Sequence, residues 1–195
     1  MNPIEIHGYA IVSDDDRIAD AAGRMPESLR NDADWAYFQA GLDAASLSVL
    51  GRLGHEANPN RRNRPRLVVS SGAHGLERRS DAWWWNPAAT SWPEVARTIL
   101  PRGGQVAVPG GRRVFDLFLG IGYDAFHLSR VMGRRIPGGV ALFSACDDGR
   151  DAGAVLRAAG LRPGPQRILD EDGPVILSVW RPDGPGALGP GPGNP

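Results

Sequence analysis

Apolar residues fall in short runs broken by glycine, proline and acid, and the spacing inside each run predicts its element. Residues 4–13, IEIHGYAIVS, are rich in β-branched and aromatic side chains and predict a first strand, apolar on both faces at Ala10, Ile11 and Val12. Residues 32–45, DADWAYFQAGLDAA, predict a helix capped at Asn31 or Asp32, with Trp35, Phe38 and Leu42 spaced to face the core. Residues 46–50, 67–69 and 106–108 predict short buried strands. After the last of these, Val114, Phe115, Leu117, Phe118 and Leu119 lay an apolar stripe along a helix. Ser91, with Pro93 and Glu94 behind it, predicts a capped helix reaching Leu100. Residues 125–131, AFHLSRV, alternate as a strand, and residues 160–182 predict a closing hairpin that turns at Asp170-Glu171-Asp172-Gly173.

The breaks carry their own expectations. Asp14, Asp15 and Asp16 are adjacent and cannot all face one ion from a strand end, so they predict a solvated turn. Residues 20–31, with Gly23 and Pro26 inside, predict a long mobile loop of the kind that serves as a lid. Trp83, Trp84 and Trp85 cannot all be buried on one face of a strand; packing is the default, with a ligand wall or a partner contact as alternatives. Residues 183–195 are glycine and proline with almost no apolar content and predict a disordered tail, which leaves residues 1–182 as one domain.

Composition narrows the chemistry. The 22 basic and 22 acidic residues cancel, so no nucleic-acid partner is implied, and every basic residue is arginine. Without lysine there is no Schiff base, no pyridoxal phosphate anchor and no Walker-type lysine, and anions must be met by arginine. The single cysteine, Cys146, excludes an internal disulfide and a cysteine-rich metal site. His7, His55, His74 and His127 lie in separate elements without ligand spacing, so no metal is expected. No basic leader precedes an apolar run and no stretch approaches the roughly 18 apolar residues of a membrane span, which predicts a cytoplasmic protein with no membrane partner.

Three places are candidates for function. Residues 106–119, VAVPGGRRVFDLFL, join a strand to a helix through Pro109, Gly110 and Gly111, where unpaired N–H groups and a positive dipole end suit a phosphate beside Arg112 and Arg113. Gly51-Arg52 and Ser70-Ser71 follow two neighbouring strands, at the edge where open α/β sheets bind nucleotides. Asp34 and Phe38 stand four apart on one helix, an acid beside an aromatic wall, which suits a flat heterocycle with a protonatable nitrogen; the competing reading is a polar first turn favoured by the helix dipole. Ser129 is a hydroxyl inside an apolar strand and needs a partner if buried.

With these in place, residues 4–181 resemble the dihydrofolate reductase fold family. The likeness lies in ordered motifs: ADWAYF at 33–38, VLGR at 49–52, RPRLVVSS at 64–71, VAVPGGRRVFDLFL at 106–119 and FHLSRV at 126–131. It implies an α/β three-layer fold, with a mixed, mainly parallel sheet of about eight strands, a C-terminal antiparallel hairpin, and NADPH across the carboxyl edge. It further implies Asp34 and Ser129 as the catalytic pair, and Val12, Phe38 and Arg64 around the substrate, with Arg64 gripping a carboxylate. Arg52, Ser70, Ser71, Gly110, Gly111, Arg113, Val114 and Phe115 would hold the cofactor, the glycine pair commonly through a cis peptide. The sequence departs from the family at Gly54, where a hydroxyl residue is usual, and at Phe115, where tyrosine is frequent. Residues 13–19, SDDDRIA, look more like the Ser-x-Asp-Gly-Arg-Ile-Ala run of riboflavin-pathway pyrimidine reductases. The resemblance thus implies an NADPH-dependent reductase of a pterin-like heterocycle, with dihydrofolate first. The alternatives are a ribosylaminopyrimidine whose phosphate meets Arg64, or a non-catalytic nucleotide-binding homologue that uses the tryptophan segment. A small heterocyclic substrate and a monomer or homodimer complete the expectation.

Overall fold

Strands and helices alternate along residues 2–183, which the computed structural model describes; the glycine-proline tail lies outside the described residues from 184 on. A nine-stranded sheet runs from edge to edge as β10 (Leu161–Asp170), β11 (Val175–Pro182), β8 (Ala125–Val131), β1 (Ile4–Val12), β7 (Gly104–Gly110), β3 (Leu47–Gly51), β4 (Arg66–Val69), β6 (Trp83–Trp85) and β5 (Leu76–Arg78). From β8 through β6 the neighbours are parallel, while the hairpin on one edge and β5 on the other are antiparallel. The strand beyond the expected eight comes from the tryptophan run, which pairs with β4 on one side and β5 on the other. A separate ribbon joins β2 (Arg17–Ala19) to β9 (Val140–Ala141). The helices are α1 (Asp32–Ala44), α2 (Arg52–Ala57), α3 (Trp92–Ile99), α4 (Arg112–Ile121) and α5 (Ala152–Ala158).

The central parallel strands are covered on both faces, which explains their nearly unbroken apolar runs. Val12, Val49, Leu67, Val106, Val108 and Phe118 are fully buried. Each contributes roughly 1.5–3 kcal/mol of transfer free energy relative to exposure. The tryptophans divide as the pleat requires: Trp85 joins the main core, and Trp84 packs with Val68, Ala73 and Ala82 in a separate cluster. Local signals set the helix starts. Asn31 rather than Asp32 caps α1, accepting from the Asp34 N–H at 3.0 Å, and Ser91 and Glu94 form the capping box of α3.

Three local expectations need correcting. Trp35 does not face the core but is 58% exposed. Helix α1 rests on β1 through Gly41, where a Cβ would come within 2.6 Å of the Tyr9 ring, and through Leu42. Trp35, on the first turn, lies outside the apolar cluster that Tyr9, Leu42, Tyr37 and Phe38 form. The aspartate run is a turn at Asp14 and Asp15, with Asp14 exposed as expected, but its carboxylates are bonded to the protein and Asp16 is buried. Asp14 accepts from the Gly133 N–H at 2.8 Å, and Asp15 from the Ser13 hydroxyl at 2.6 Å and the Ile136 N–H at 2.9 Å. Asp16, 6% exposed with φ +59°, accepts from the Arg130 guanidinium and from the Ala152 N–H at 2.8 Å. Residues 20–31 are tied as well as looped: the Asp20 carboxylate accepts from the Ala22 and Arg24 N–H groups, and Leu29 is fully buried in a short 3-10 turn. Among the described residues no helix is long and apolar enough to cross a membrane.

Candidate active site at the split edge of the sheet

Strands β1 and β7 pair from Ile4↔Gly104 to Gly8↔Val108 and then part. Beyond that point β1 continues along β8 as far as Val12↔Arg130, while β7 turns to β3 at Leu50↔Gly110. The sheet splits at its carboxyl edge, and a cleft of about 610 Å³ opens in the split, large enough for a small organic ligand. Helix α1 supplies Asp34, Tyr37 and Phe38 to its walls, β8 supplies His127 and Ser129, and Gly111 and Phe115 close it from the α4 side.

Asp34 is half-buried on the first turn of α1. Burial raises its proton affinity, the nearby Ser129 hydroxyl opposes that rise, and no cation adds to the balance. Ser129 is 2% exposed in the middle of β8, so the hydroxyl that the sequence left without a partner is turned towards this carboxyl. Phe38 stands beside Asp34 on the cleft wall, and its ring centroid is 5.6 Å from that of exposed Trp35. The pair of sites i and i+4 therefore delivers the acid and the aromatic wall to one place.

A second polar group on this wall was not legible as a site. The Tyr37 hydroxyl lies 2.5 Å from His127 Nδ1, and His127 Nε2 lies 3.3 Å from His7 Nδ1. Tyr9 stacks flat on the His127 imidazole, at 4.3 Å between centroids and 5° between planes. Burial pushes the His127 pKa down to about 3, with His7 and Arg181 adding to the effect, so the ring is neutral at physiological pH. The available signal was His127 two residues before Ser129, hence on the same strand face.

Two residues expected at the substrate stand elsewhere. Arg64 is not at the cleft: its guanidinium meets Asp43 at 2.6 Å and the Gln39 side-chain oxygen at 2.7 Å. Val12 is fully buried in the main core and does not reach the cleft, which Ala10 and Ile11 line. The arginine that does line the cleft is Arg30, whose exposed guanidinium is 3.3 Å from Glu27.

The cofactor-side residues gather along one edge. The pairs Leu50↔Gly110 and Gly51↔Val69 set the ends of β7, β3 and β4 side by side, so Arg52, Ser70, Ser71, Gly110, Gly111 and Arg113 all follow carboxyl strand ends. The Gly110-Gly111 peptide is cis, as the resemblance implied. Gly110 has φ +102°, and a Cβ there would lie 2.7 Å from the Phe115 ring, while nothing stands within 4 Å of one on Gly111. No side chain caps α4 at Gly111, so its first N–H groups and the exposed Arg113 are free to meet a diphosphate. Val114 and Phe115 are buried beneath this turn, with Phe115 reaching the cleft. Arg52 bonds Glu56 at 2.9 Å, Arg112 bonds Asp147 at 2.5 Å, Ser70 accepts from the Gly72 N–H at 3.2 Å, and Ser71 is exposed. The open glycine, the uncapped helix start and the free guanidinium fit a dinucleotide.

No family model matches the sequence, and no curated protein matches it. Solved structures do. Dihydrofolate reductase from Enterococcus faecalis, complexed with NADP(H), is similar with a TM-score of 0.63 at 14% identity over 91% of this chain and 95% of that one. A diaminohydroxyphosphoribosylaminopyrimidine deaminase/5-amino-6-(5-phosphoribosylamino)uracil reductase from Thermotoga maritima is similar at 0.64 and 15% identity, over 93% of this chain and 57% of its own length. A candidate riboflavin biosynthesis protein from Shewanella sp. PV-4 is similar at 0.62 and 16% identity, over 91% of this chain and 98% of that one. With its mainly parallel nine-stranded sheet and C-terminal hairpin, the chain has the dihydrofolate reductase-like fold.

Proposed function

We propose that the protein is an NADPH-dependent reductase that adds hydride to a ring carbon of a flat nitrogen heterocycle while the adjacent ring nitrogen gains a proton. The observation that carries this reading is Asp34, half-buried in the cleft with its proton affinity raised by burial, within reach of the uncapped glycine turn. NADPH would be held by Gly110, Gly111, the first N–H groups of α4 and Arg113, with Arg52, Ser70 and Ser71 along the same edge, and it supplies the hydride when bound. Asp34, with the Ser129 hydroxyl near it, raises the proton affinity of the ring nitrogen facing it, and Phe38 holds the ring flat.

Dihydrofolate is the first substrate to test. Purified protein is expected to oxidise NADPH at a rate that depends on dihydrofolate and is lost in Asp34→Asn. No rate above background, with NADPH still bound, removes dihydrofolate. The second reading, a ribosylaminopyrimidine, is favoured by one observation: Arg64 is already committed to Asp43 and Gln39, so a long acidic tail would lack the guanidinium expected for it. Arg30 at the cleft would then meet a substrate phosphate.

A further inference from the structure

Tyr37, His127, His7 and Glu5 form a chain that leads out of the cleft, and the functional reading above uses none of them. Its proton inventory can be counted from the outer end. The Glu5 carboxylate can only accept, and it faces His7 Nε2 at 3.6 Å, which favours the tautomer with the proton on that nitrogen. His7 Nδ1 is then bare and accepts from His127 Nε2–H across 3.3 Å. That leaves His127 Nδ1 bare in turn, and it accepts from the Tyr37 hydroxyl at 2.5 Å. The flat stack of Tyr9 fixes the plane of the imidazole, and the Tyr9 oxygen is itself held by the Gln105 amide at 3.1 Å. The charged groups facing Tyr37 are Arg167, whose guanidinium lies 5.3 Å from the ring centroid, Arg181 and Asp34; among the described residues none takes the phenol proton in place of His127.

We propose that His127 is a positioning residue that holds the Tyr37 proton, so that the Tyr37 oxygen meets the cleft as an acceptor only and the site selects heterocycles presenting an N–H donor there. This rests on the reading of the cleft as a heterocycle site. The exocyclic amine of an aminopteridine or aminopyrimidine satisfies the wall, whereas a ring oxygen set against it leaves two acceptors facing each other.

The test has one part that needs no ligand. In protein labelled with ¹⁵N-histidine, at pH 7.5, His127 is expected to show a protonated Nε2 and a bare Nδ1. A protonated Nδ1 overturns the proposal. The second part measures equilibrium binding of 2-amino-4-oxopteridine and 2,4-dioxopteridine, which differ only in an amine or an oxygen at C2, through their fluorescence. Wild type should prefer the amino ring about tenfold, the value of one neutral hydrogen bond near 1.4 kcal/mol. Tyr37→Phe and His127→Leu should each bring the two rings to within about twofold, and His127→Asn, whose amide oxygen can take the place of Nδ1, should restore the preference. An unchanged preference in Tyr37→Phe and His127→Leu overturns the proposal and leaves the reductase reading standing. Binding of neither ring removes the heterocycle reading, and the selection with it.

Discussion

Asp16 and Asp34 both lie against β8, one towards each of its faces, and their surroundings differ. Asp16 is 6% exposed and receives the Arg130 guanidinium and the Ala152 N–H, so it ties the end of β1 to β8 and to the start of α5. Asp34 is half-buried with a single neutral partner, Ser129, and its proton affinity rises accordingly. A carboxylate given a cation and a backbone donor is a joint between elements, whereas one denied a cation is left able to exchange a proton. Burial alone does not separate architecture from chemistry; the supply of donors does.

The comparison can be broken most decisively at Asp34. Asp34→Asn should lower turnover about 10² to 10⁴ fold, or roughly 3–5 kcal/mol of barrier, with NADPH affinity near normal by titration. The same change should not destabilise the fold at neutral pH. The folded state takes up the Asp34 proton at higher pH than the unfolded chain does, so this group favours folding in acid, and that contribution is lost as pH rises through its raised pKa. Melting at pH 7.5 should therefore be level with wild type or higher. Asp16→Ala should do the reverse, removing about 3–5 kcal/mol in denaturant titration by leaving the Arg130 guanidinium and the Ala152 N–H without their acceptor. A loss within 1 kcal/mol would deny Asp16 its role as a joint.

A smaller effect is expected at the glycine turn. Gly110→Ala places a Cβ 2.7 Å from the Phe115 ring at φ +102°, and should cost about 1–3 kcal/mol of stability together with weaker NADPH binding. The smallest effect at neutral pH is that of His127. Its folded pKa of about 3 lies below the ordinary 6.5, so the unfolded chain binds the proton first and stability falls as pH drops between those values. His127→Asn should flatten that part of the acid limb, read as denaturation midpoints at pH 7.5 and 4.5.

Much of this was legible because local rules coincide with the tertiary outcome. The strand at 125–131, the capping box at Ser91, the hairpin and the glycine pair all follow from spacing and turn chemistry, and so did the delivery of Asp34 and Phe38 to one wall. Long-range pairing supplied the rest. His7 and His127 are 120 residues apart and meet only because β1 and β8 are neighbours. The aspartates read as a solvated turn because their donors, from Arg130, Gly133, Ile136 and Ala152, arrive from more than a hundred residues away. Arg64 was placed by likeness, and local acceptors on α1 claimed it instead. Trp35 kept helical spacing but lies outside the cluster that packs α1 on β1. β5 and β6, at three residues each, are too short for alternation to reveal.

Ser129 and Arg130 are consecutive on β8, the first near Asp34 and the second paired with Asp16. Because adjacent strand residues point to opposite faces, a slip of β8 by a single residue would carry Arg130 to the place of Ser129, facing Asp34, and set Val131 against Asp16. A cation beside Asp34 would pull its proton affinity down and end its usefulness as an acid. The ion pair on the far face therefore favours the one alignment of the strand that keeps the Arg130 guanidinium away from Asp34.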